Sequence, residues 1–513
     1  MVSVATFTSG REQPIWLATH EQPAFSPLTG NTSADVCVIG AGLAGLSTAY
    51  RLAREGLSVI VLEDGCVGSG ETGRTTAHLS NVIDDRYTEI ERIHGKAGAR
   101  LAAASHSAAI DRIEQTIQEE TIACDFRRVD GYLILSSEHR SELLREEQTA
   151  AQEAGLQNVE LLDRCPLLKD VSQPCLRFRH QAQFHVLQYL SGLANALTKR
   201  GGQVFTQTHA IEIRGGRHAY VRTASGLKVE AQKSIVVATN TPINDRITMH
   251  TKQSAYRTYV VGCRIPKDSV SVALYWDTSD PYHYVRLQSL SETEDVLIIG
   301  GEDHKTGQPG DGDRWARLME WAQTWFPAAQ TMEFKWSGQV MESIDGLAFI
   351  GRNPGDDDNV YIVTGDSGMG MTHGTIASML LSDLICGRDN PWTDLYDPAR
   401  MRLSAAGEFT RENANVVGQY TRWLKPGEVE SVDEIPLGQG AIMSQGASKL
   451  AVFRDSGGTA HVRSAVCPHL RCLVGWNKTE QTWDCPCHGS RFDRYGKVIN
   501  GPANEDLAKS RPE

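Results

Sequence analysis

Two short motifs near the C-terminus pair cysteine with histidine at the spacing of metal ligands. Cys467-x-His469 and Cys485-x-x-His488 are separated by fifteen residues, so each of two loops can offer one thiolate and one imidazole. Thiolates and imidazoles are ligands for zinc, copper and iron rather than for magnesium or calcium. The motifs therefore predict a metal centre, and they require a fold in which both loops meet.

This ligand set matches a [2Fe–2S] cluster in which one iron takes two Cys and the other takes two His. Zinc is the alternative, although zinc fingers and ribbons rarely interleave the two residue types in this way. The stretch resembles the Rieske family over the whole C-terminal domain, including CPCHGS and the later NGPA. The resemblance implies that the cluster ligands are Cys467, His469, Cys485 and His488.

Four residues close to the motifs bear on the stability and potential of such a cluster. In Rieske proteins of the cytochrome type a disulfide ties the two loops together, and the resemblance implies the same for Cys472 and Cys487. Two buried free thiols are the alternative, because cytosolic disulfides are unusual. High-potential members carry a Ser and a Tyr whose hydroxyls donate hydrogen bonds to the cluster and ligand sulfurs. Here Ser490 is present but Phe492 replaces the Tyr, which predicts a lower potential.

A glycine-rich turn near the N-terminus lies between an apolar run and a helix. Ala34–Gly40 and Ser58–Leu62 are expected to be buried strands, and Leu46–Gly56 is expected to be the helix between them. Strand, turn, helix and strand together form a βαβ unit of the dinucleotide-binding kind.

Each glycine of that turn has a physical role. Gly40 permits the tight turn, Gly42 lets the backbone approach a pyrophosphate, and Gly45 lets helix and strand pack closely. The pyrophosphate would lie at the positive N-terminus of the helix. Glu63 follows the second strand, where a carboxylate would accept hydrogen bonds from ribose hydroxyls. The fingerprint alone does not choose FAD over NAD.

Two further glycine-rich segments favour FAD. Gly68–Leu79 (GSGETGRTTAHL) can lie flat against a flavin, and Asp345–Gly374 combines a strand, a glycine turn and a helix. Together with ATNTP after the strand Ser234–Ala238, they resemble the D-amino-acid oxidase and sarcosine oxidase family, called the DAO or DadA family. The resemblance runs from about Asp35 to Arg400 and implies an FAD-dependent oxidoreductase.

The DAO resemblance implies specific contacts with FAD. Arg74 is expected to face the cofactor, with an exposed loop cation as the alternative, and Met371 either contacts the flavin or packs in the core. Some family members attach the flavin covalently, for which His78 or His373 could serve, though free histidines are the alternative. The full set of expected FAD contacts is Gly40, Gly42, Gly45, Glu63, Arg74, Thr75, Thr76, Gly368, Gly370, Met371 and Thr372.

The length of 513 residues exceeds what one hydrophobic core supports. We expect an α/β Rossmann-type FAD-binding domain with an inserted mixed-sheet substrate domain, followed by an all-β Rieske domain. The expected parts are an N-terminal extension at 1–33 with an extended, polar lead, the oxidoreductase at 34–425 and the Rieske domain at 426–513. Within the oxidoreductase, FAD-binding parts are expected at about 34–82, 181–250 and 336–400, and substrate parts at about 83–180 and 251–335.

Periodicity predicts the remaining elements. The expected helices are Arg86–Gln118, Glu138–Gly155 and Gly407–Leu424, and the expected strands are Phe126–Ser136, Val204–Ile213, Gly440–Arg454 and His461–Val466, with a strand-to-helix passage at Gln181–Lys199.

The stretch Tyr256–Gly301 carries the candidates for substrate binding. Alternation places Tyr282, Tyr284 and Arg286 on one face of a sheet, and His283 on the other. On that face an Arg would bind a carboxylate bidentately and Tyr hydroxyls would orient it. A solvated sheet face is the alternative, and no catalytic base stands out. The candidates are Tyr256, Arg257, Tyr282, Tyr284, Arg286 and His304.

Composition argues against some partners, and the sequence patterns lead us to expect a cytoplasmic, soluble protein. The net charge is −12 without a basic stripe, which argues against nucleic acid and anionic membranes as partners. The chain lacks the pattern of a secretory signal and any apolar run long enough to span a membrane. The cysteines outside the Rieske region are expected to be reduced thiols: Cys37, Cys66, Cys124, Cys165, Cys175, Cys263 and Cys386.

Together these patterns predict an FAD- and [2Fe–2S]-dependent oxidoreductase. It would oxidise an amine or amino-acid-like substrate, at a CH–NH or CH–NH2 group, by hydride transfer to the flavin. The cluster would then pass electrons singly to an external acceptor, either a protein or a quinone-like molecule. The alternatives are a reductase with the reversed electron flow, or a flavin oxidase that uses dioxygen and whose Rieske domain is a redox-sensing or docking module.

Overall fold

The computed structural model describes residues 13–167, 173–244, 248–308 and 312–510. Residues 1–12 of the expected N-terminal extension and residues 511–513 of the Rieske domain lie outside the described residues. The extension is not an extended polar lead throughout: Ile15–Thr19 forms a short helix whose Ile15 and Trp16 are fully buried. The physical reason is that these two apolar side chains fill a gap against the oxidoreductase.

The first sheet is centred on the strand Thr32–Ile39, which pairs in parallel with strands on both sides. Its residues are buried in succession because both faces of a parallel sheet are covered. This confirms the expected Rossmann-type sheet. In spatial order its strands are Phe349–Arg352, Val360–Thr364, Lys228–Val237, Thr32–Ile39, Val59–Leu62 and Gln203–Phe205, with the hairpin Ala210–Arg214 and Tyr220–Thr223 at Lys228–Val237.

Three helices cover one face of this sheet: Leu43–Arg54, Val186–Lys199 and Gly370–Ile385. Glycines set how closely they approach. A Cβ on Gly45 would collide with the carbonyl oxygen of Gly40, and a Cβ on Gly374 would lie 3.2 Å from the backbone nitrogen of Ala44. The helix after the first strand and the helix after the second glycine turn therefore pack almost backbone to backbone.

The second sheet is mixed and nine-stranded. Two of its strands, Cys175–Gln183 and Met332–Ser343, extend past the expected domain boundaries at 181 and 336. Both boundaries shift because alternation along a strand does not reveal which sheet the strand joins. The strands in spatial order are Met332–Ser343, Gln253–Pro266, Glu294–Lys305, His283–Ser289, Leu274–Asp277, Arg127–Ile134, Cys175–Gln183 and His78–Leu79, with Val159–Leu162 paired to Cys175–Gln183.

Two expected elements are interrupted. The expected strand Val204–Ile213 is split into two strands around Gln207, whose φ of 51° breaks the extended backbone. The helix Arg86–Glu120 is kinked at Gly95, where φ is 70°. The other helices are Glu142–Glu153, Arg314–Trp325, Thr393–Tyr396 and Ala406–Gln419, with 3₁₀ turns at Glu71–Arg74, Met249–Thr251, Leu403–Ala405, Tyr420–Leu424 and Val432–Glu434.

The C-terminal domain consists of two small antiparallel sheets, as expected for an all-β Rieske domain. One contains the strands Gln439–Gln445, Ser448–Arg454 and Ala460–Ser464, and the other contains Gly475–Asn477, Thr482–Asp484, Arg491–Asp493 and Val498–Asn500. In the part of the chain that the structure describes, none of the helices has the length and apolar character needed to cross a membrane.

Candidate active site and iron–sulfur site

A cavity of about 340 Å³ opens at the carboxyl ends of the parallel strands. Its geometry fits a dinucleotide. Gly40 has a φ of 104°, and a Cβ there would collide with the carbonyl oxygen of Ala238. A Cβ on Gly42 would lie 2.9 Å from the hydroxyl of Thr72. The helix Leu43–Arg54 begins directly after this turn, where its positive N-terminus favours an anionic group such as a pyrophosphate, and its first N–H, that of Leu43, donates to the hydroxyl of Thr72 at 3.1 Å.

Glu63 lies at the same end of the cavity. Its carboxylate accepts hydrogen bonds from the backbone N–H groups of Ala41 at 2.7 Å and Gly65 at 2.9 Å. Burial raises the pKa of Glu63, while these two hydrogen bonds oppose the increase. The acid thus fastens the second strand to the glycine turn as well as lining the cavity.

Arg74, Thr75 and Thr76 all line the cavity. Arg74 is only 3 % exposed and donates to the carbonyl oxygen of Ser337 at 3.1 Å, so it is not an exposed loop cation. Burial lowers its pKa to about 10. Two indoles fix the loop from outside, because Trp16 donates to the carbonyl of Thr75 and Trp336 to that of Arg74, both at 2.7 Å.

The second glycine turn forms another wall. Gly368, Gly370, Met371 and Thr372 line the cavity, and Met371 is at the same time part of the hydrophobic core. The hydroxyl of Thr372 is held by His106 Nδ1 at 2.8 Å.

The two histidines considered for covalent attachment both line the cavity. His78 Nδ1 contacts the hydroxyl of Thr76 at 2.9 Å, and His373 Nδ1 contacts the carbonyl of Asp366 at 2.9 Å. Burial lowers the pKa of His78 to about 3 and that of His373 to about 4, so both imidazoles are neutral near pH 7.

Tyr282 and Tyr284 also line the cavity. Their rings are 5.4 Å apart, the Tyr282 hydroxyl donates to Asp84 at 3.0 Å, and the Tyr284 hydroxyl contacts that of Thr258 at 2.7 Å. A Cβ on Gly300 would collide with the Tyr284 ring, so this glycine makes room for it.

Arg286 does not line the cavity. It is fully buried and donates to the carbonyls of Thr76 at 3.1 Å, Ala77 at 2.9 Å and Phe184 at 3.1 Å. The expectation that Arg286 faces a substrate carboxylate is therefore wrong. Alternation along the strand predicts the face of the sheet on which the side chain lies, but the guanidinium is used in hydrogen bonds to backbone carbonyls beneath the Arg74 loop.

Arg257 is also fully buried, and its partner is an acid of the Rieske domain. The guanidinium lies 2.6 Å from Glu480 and also donates to Ser337. Glu480 in turn lies 3.0 Å from Arg491. Arg257 therefore joins two domains rather than facing the cavity.

Two other substrate candidates also lie away from the cavity. His304 stacks on Tyr259 with ring centroids 5.6 Å apart, and Tyr256 packs under Lys305. Neither belongs to the cavity wall.

Sequence reasoning missed five carboxylates in the cavity wall: Asp64, Glu71, Asp84, Asp303 and Asp366. Asp84 follows a short strand, Asp303 lies near the end of a long one, and Asp366 belongs to the second glycine turn. A polar residue at a strand end beside a glycine turn is the signal that could have found two of them.

The cysteine and histidine motifs meet in the Rieske domain. Cys467, Cys485 and His488 are buried, the Cys485 thiol donates to Cys467 Sγ, and the rings of His469 and His488 are 5.0 Å apart. Burial lowers the pKa of His488 to about 3, so the ring is neutral and can ligate a metal. Two soft thiols beside two imidazoles fit a [2Fe–2S] cluster.

A disulfide joins Cys472 to Cys487, with Cα atoms 6.4 Å apart. It links the loop of the first motif to the loop of the second, so these two sulfurs are not available as ligands. The seven cysteines expected to be reduced are free thiols in the structure.

The Rieske domain is seated directly on the oxidoreductase. The ring of His250, from the oxidoreductase, lies 4.6 Å from that of His469 and 5.6 Å from that of His488. Gln339 Nε2 donates to the carbonyl of Gly489 at 2.8 Å. The Rieske domain also supplies part of the cavity wall: Val498, Ile499, Asn500, Gly501, Ala503 and Asn504.

The fold and the two sites define a flavoprotein with a second, iron–sulfur redox centre. Residues 35–384 match the family model described as FAD dependent oxidoreductase (DAO), and residues 425–511 match that of the Rieske [2Fe-2S] domain. The chain belongs to the DAO family of FAD-dependent oxidoreductases and carries a C-terminal Rieske domain.

One relative matches the chain over nearly its whole length, and others match about 70 % of it. YhfW of Bacillus subtilis (strain 168), named as a Rieske 2Fe-2S iron-sulfur protein, is 31 % identical over 98 % of both chains. Gamma-glutamylputrescine oxidoreductase of Escherichia coli (strain K12) is 26 % identical over 71 % of this chain and 86 % of its own. The structure of glycine oxidase from Geobacillus kaustophilus superimposes with a TM-score of 0.61, covering 72 % of this chain and 99 % of that one at 16 % identity.

Proposed function

We propose that this protein oxidises an amine or amino-acid-like substrate at a CH–NH or CH–NH2 group and delivers the electrons through its Rieske cluster to an external acceptor. One observation carries the proposal: a single cavity is lined both by the glycine turns of the oxidoreductase and by residues 498–501, 503 and 504 of the Rieske domain.

The reaction breaks the C–H bond next to the nitrogen and yields an imine, two electrons and two protons. FAD would accept the hydride, and a [2Fe–2S] cluster would transfer one electron at a time. The residues of the chain bind and orient the cofactor and the substrate. The Gly40–Gly42 turn would hold the pyrophosphate, Tyr282 and Tyr284 would position the substrate, and the buried wall would keep water away from the reacting carbon.

The contact between the domains supports a route for the electrons. Gln339 lines the cavity and is hydrogen-bonded to Gly489, the residue after His488. His250 packs against both cluster imidazoles. The cluster would thus receive electrons on its histidine side, within the protein, rather than from a partner that docks there.

The 26 % identical Escherichia coli relative is named for gamma-glutamylputrescine, which agrees with an amine substrate. The imidazoles of His78 and His373, which line the cavity, are neutral near pH 7 and so do not oppose a protonated amine.

The test is an anaerobic titration of the holoenzyme with a panel of amines and amino acids. Flavin absorbance reports substrate oxidation, and the EPR signal of the reduced Rieske cluster reports onward transfer. Flavin bleaching followed by cluster reduction supports the proposal. A cluster that stays oxidised while the flavin turns over with dioxygen would identify a flavin oxidase with a docking module. Cluster reduction by an external donor ahead of the flavin would identify the reversed flow.

A further inference from the structure

We propose that the substrate end of the cavity selects a cationic amine that carries no carboxylate, held by Asp84, Asp303 and Asp366. This inference rests on the proposed function and narrows its substrate class. Its basis is the placement of three carboxylates from three separate segments in one aromatic-walled space.

Asp84 lies against the second glycine turn, and Asp366 belongs to that turn. A Cβ on Gly368 would collide with Asp84 Oδ2, and a Cβ on Gly370 would collide with Asp366 Oδ2. The missing side chains therefore admit the acids to this turn, which is the turn expected to face the flavin ring. Asp84 is oriented by the Tyr282 hydroxyl at 3.0 Å.

Asp303 offers an acceptor that no protein group uses. It accepts a hydrogen bond from the side chain of Thr258, which also contacts the hydroxyl of Tyr284 at 2.7 Å. Its other oxygen, Oδ1, is buried without a hydrogen-bond partner. A buried carboxylate oxygen left open in a cavity wall calls for a donor from the ligand, and an ammonium group is such a donor.

No cation stands ready to bind a substrate carboxylate. Among the described residues that line the cavity, Arg74 is the one Lys or Arg, and its guanidinium bonds to Ser337 beside Glu71. Arg257 is held by Glu480, and Arg286 by backbone carbonyls. A carboxylated substrate would therefore add negative charge to an already acidic wall.

The electrostatics of the acids point the same way. Desolvation by the surrounding protein raises the pKa of Asp84 to about 7 and those of Asp303 and Asp366 to about 6, although Asp84 is exposed and the other two are half-buried in the open cavity. The nearby carboxylates of Asp303 and Asp366 raise that of Asp84 further. Arg314 and His283 only partly oppose the effect at Asp303. A bound cation would lower all three, since an opposite charge favours the ionised carboxylate.

Aromatic rings complete the complementarity. Trp276, Tyr282 and Tyr284 line the cavity as neighbours, since Trp276 pairs with Tyr284 across two strands and the two Tyr rings are 5.4 Å apart. Their faces can hold an ammonium group by cation–π attraction, and their apolar edges can cover an alkyl chain. The site thus offers charge and apolar surface to an alkylamine, and Arg74 is the one Lys or Arg among the described residues of its wall.

The experiment compares two probes with the same four-carbon chain, n-butylamine and 4-aminobutanoate. The dissociation constant of each is measured from the difference absorbance of the oxidised flavin in the holoenzyme, without dioxygen. We expect the amine to bind at least about tenfold more tightly, since a charge-assisted hydrogen bond contributes roughly 1.5–3 kcal/mol. Equal binding, tighter binding of 4-aminobutanoate, or no binding of n-butylamine would overturn the inference.

Binding is measured on the oxidised flavin, whereas the proposed oxidation is measured as bleaching of the flavin. Failure of the oxidation is therefore a separate result from failure of this inference. The variants Asp84→Asn and Asp303→Asn keep the side-chain shape and should weaken n-butylamine roughly tenfold or more. Asp111→Asn, whose side chain is 72 % exposed on the helix Arg86–Glu120, is the matched control and should bind as the wild type does. Wild-type affinity in both cavity variants, with full flavin content, would also overturn the inference.

Discussion

Gln339 Nε2 donates a hydrogen bond of 2.8 Å to the carbonyl oxygen of Gly489, and this bond ties the wall of the flavin cavity to the residue that follows His488. Both residues are buried. The two redox sites are thereby linked through a few covalent bonds and one hydrogen bond.

Replacement of Gln339 by Leu should slow reduction of the cluster more than reduction of the flavin. It leaves the Gly489 carbonyl buried without a donor, which costs about 1–3 kcal/mol of stability. Anaerobic stopped-flow spectroscopy separates the two steps. Gln323→Leu, at an exposed glutamine of the helix Arg314–Trp325, is the control, and equal slowing of both steps in Gln339→Leu would contradict the expected role.

The cluster potential should respond to hydroxyl groups beside the ligands. Ser490 donates to Cys467 Sγ, whereas Phe492 is fully buried and has no hydroxyl to offer. Since hydrogen bonds to the cluster and ligand sulfurs stabilise the reduced form, Phe492→Tyr should raise the midpoint potential and Ser490→Ala should lower it. Protein-film voltammetry measures both, and a Tyr variant with no rise would refute the argument.

Glu480 should matter for the stability of the whole chain. Its carboxylate lies 2.6 Å from Arg257 and 3.0 Å from Arg491, and all three side chains are fully buried. Glu480→Gln would leave buried cations short of a partner, at a cost of about 3–5 kcal/mol. Glu294→Gln, which removes a surface pair with Arg264, should cost less than about 1 kcal/mol. Urea unfolding of both variants tests the contrast.

The same acid should shape stability at low pH. Burial alone raises the pKa of Glu480, but Arg257 and Arg491 lower it more, so the net pKa lies well below the usual range. Its contribution is therefore full above the unfolded-state pKa of about 4.3 and is lost as the pH falls through the lower folded-state value. Stability measured from pH 6 downward should fall less in Glu480→Gln than in the wild type; parallel curves would count against this assignment.

The disulfide should protect the cluster. Cys472 and Cys487 close a loop with a sequence separation of 15, and a crosslink of that length stabilises by about 3 kcal/mol. Cys472→Ser should lose its Rieske EPR signal at lower temperature or denaturant than the wild type. Cys386→Ser removes a free thiol elsewhere and should leave the signal intact. Loss of the signal at the same point in both variants and the wild type would speak against the clamp.

Local patterns in the sequence predicted local geometry well. The turn Gly40–Gly45 and the expected Rossmann-type and all-β folds were confirmed, because short-range spacing determines them. Arg257 and Arg286 could not be predicted: the partner of Arg257 lies 223 residues away, and that of Arg286 is backbone brought in from other segments. Asp84, Asp303 and Asp366 likewise converge from three distant segments, so no single stretch marks them as a group.

Residues 498–501, 503 and 504 belong to one domain by sequence and to the other domain's cavity by position. A chain cut near residue 425 would separate the two family matches cleanly, yet it would remove a side of the flavin cavity. The two domains therefore cannot be exchanged independently. A sequence change that adapts the cavity to its substrate must also be compatible with the Rieske loop that completes the cavity wall. The oxidoreductase part of the cavity and this loop are thus expected to change together.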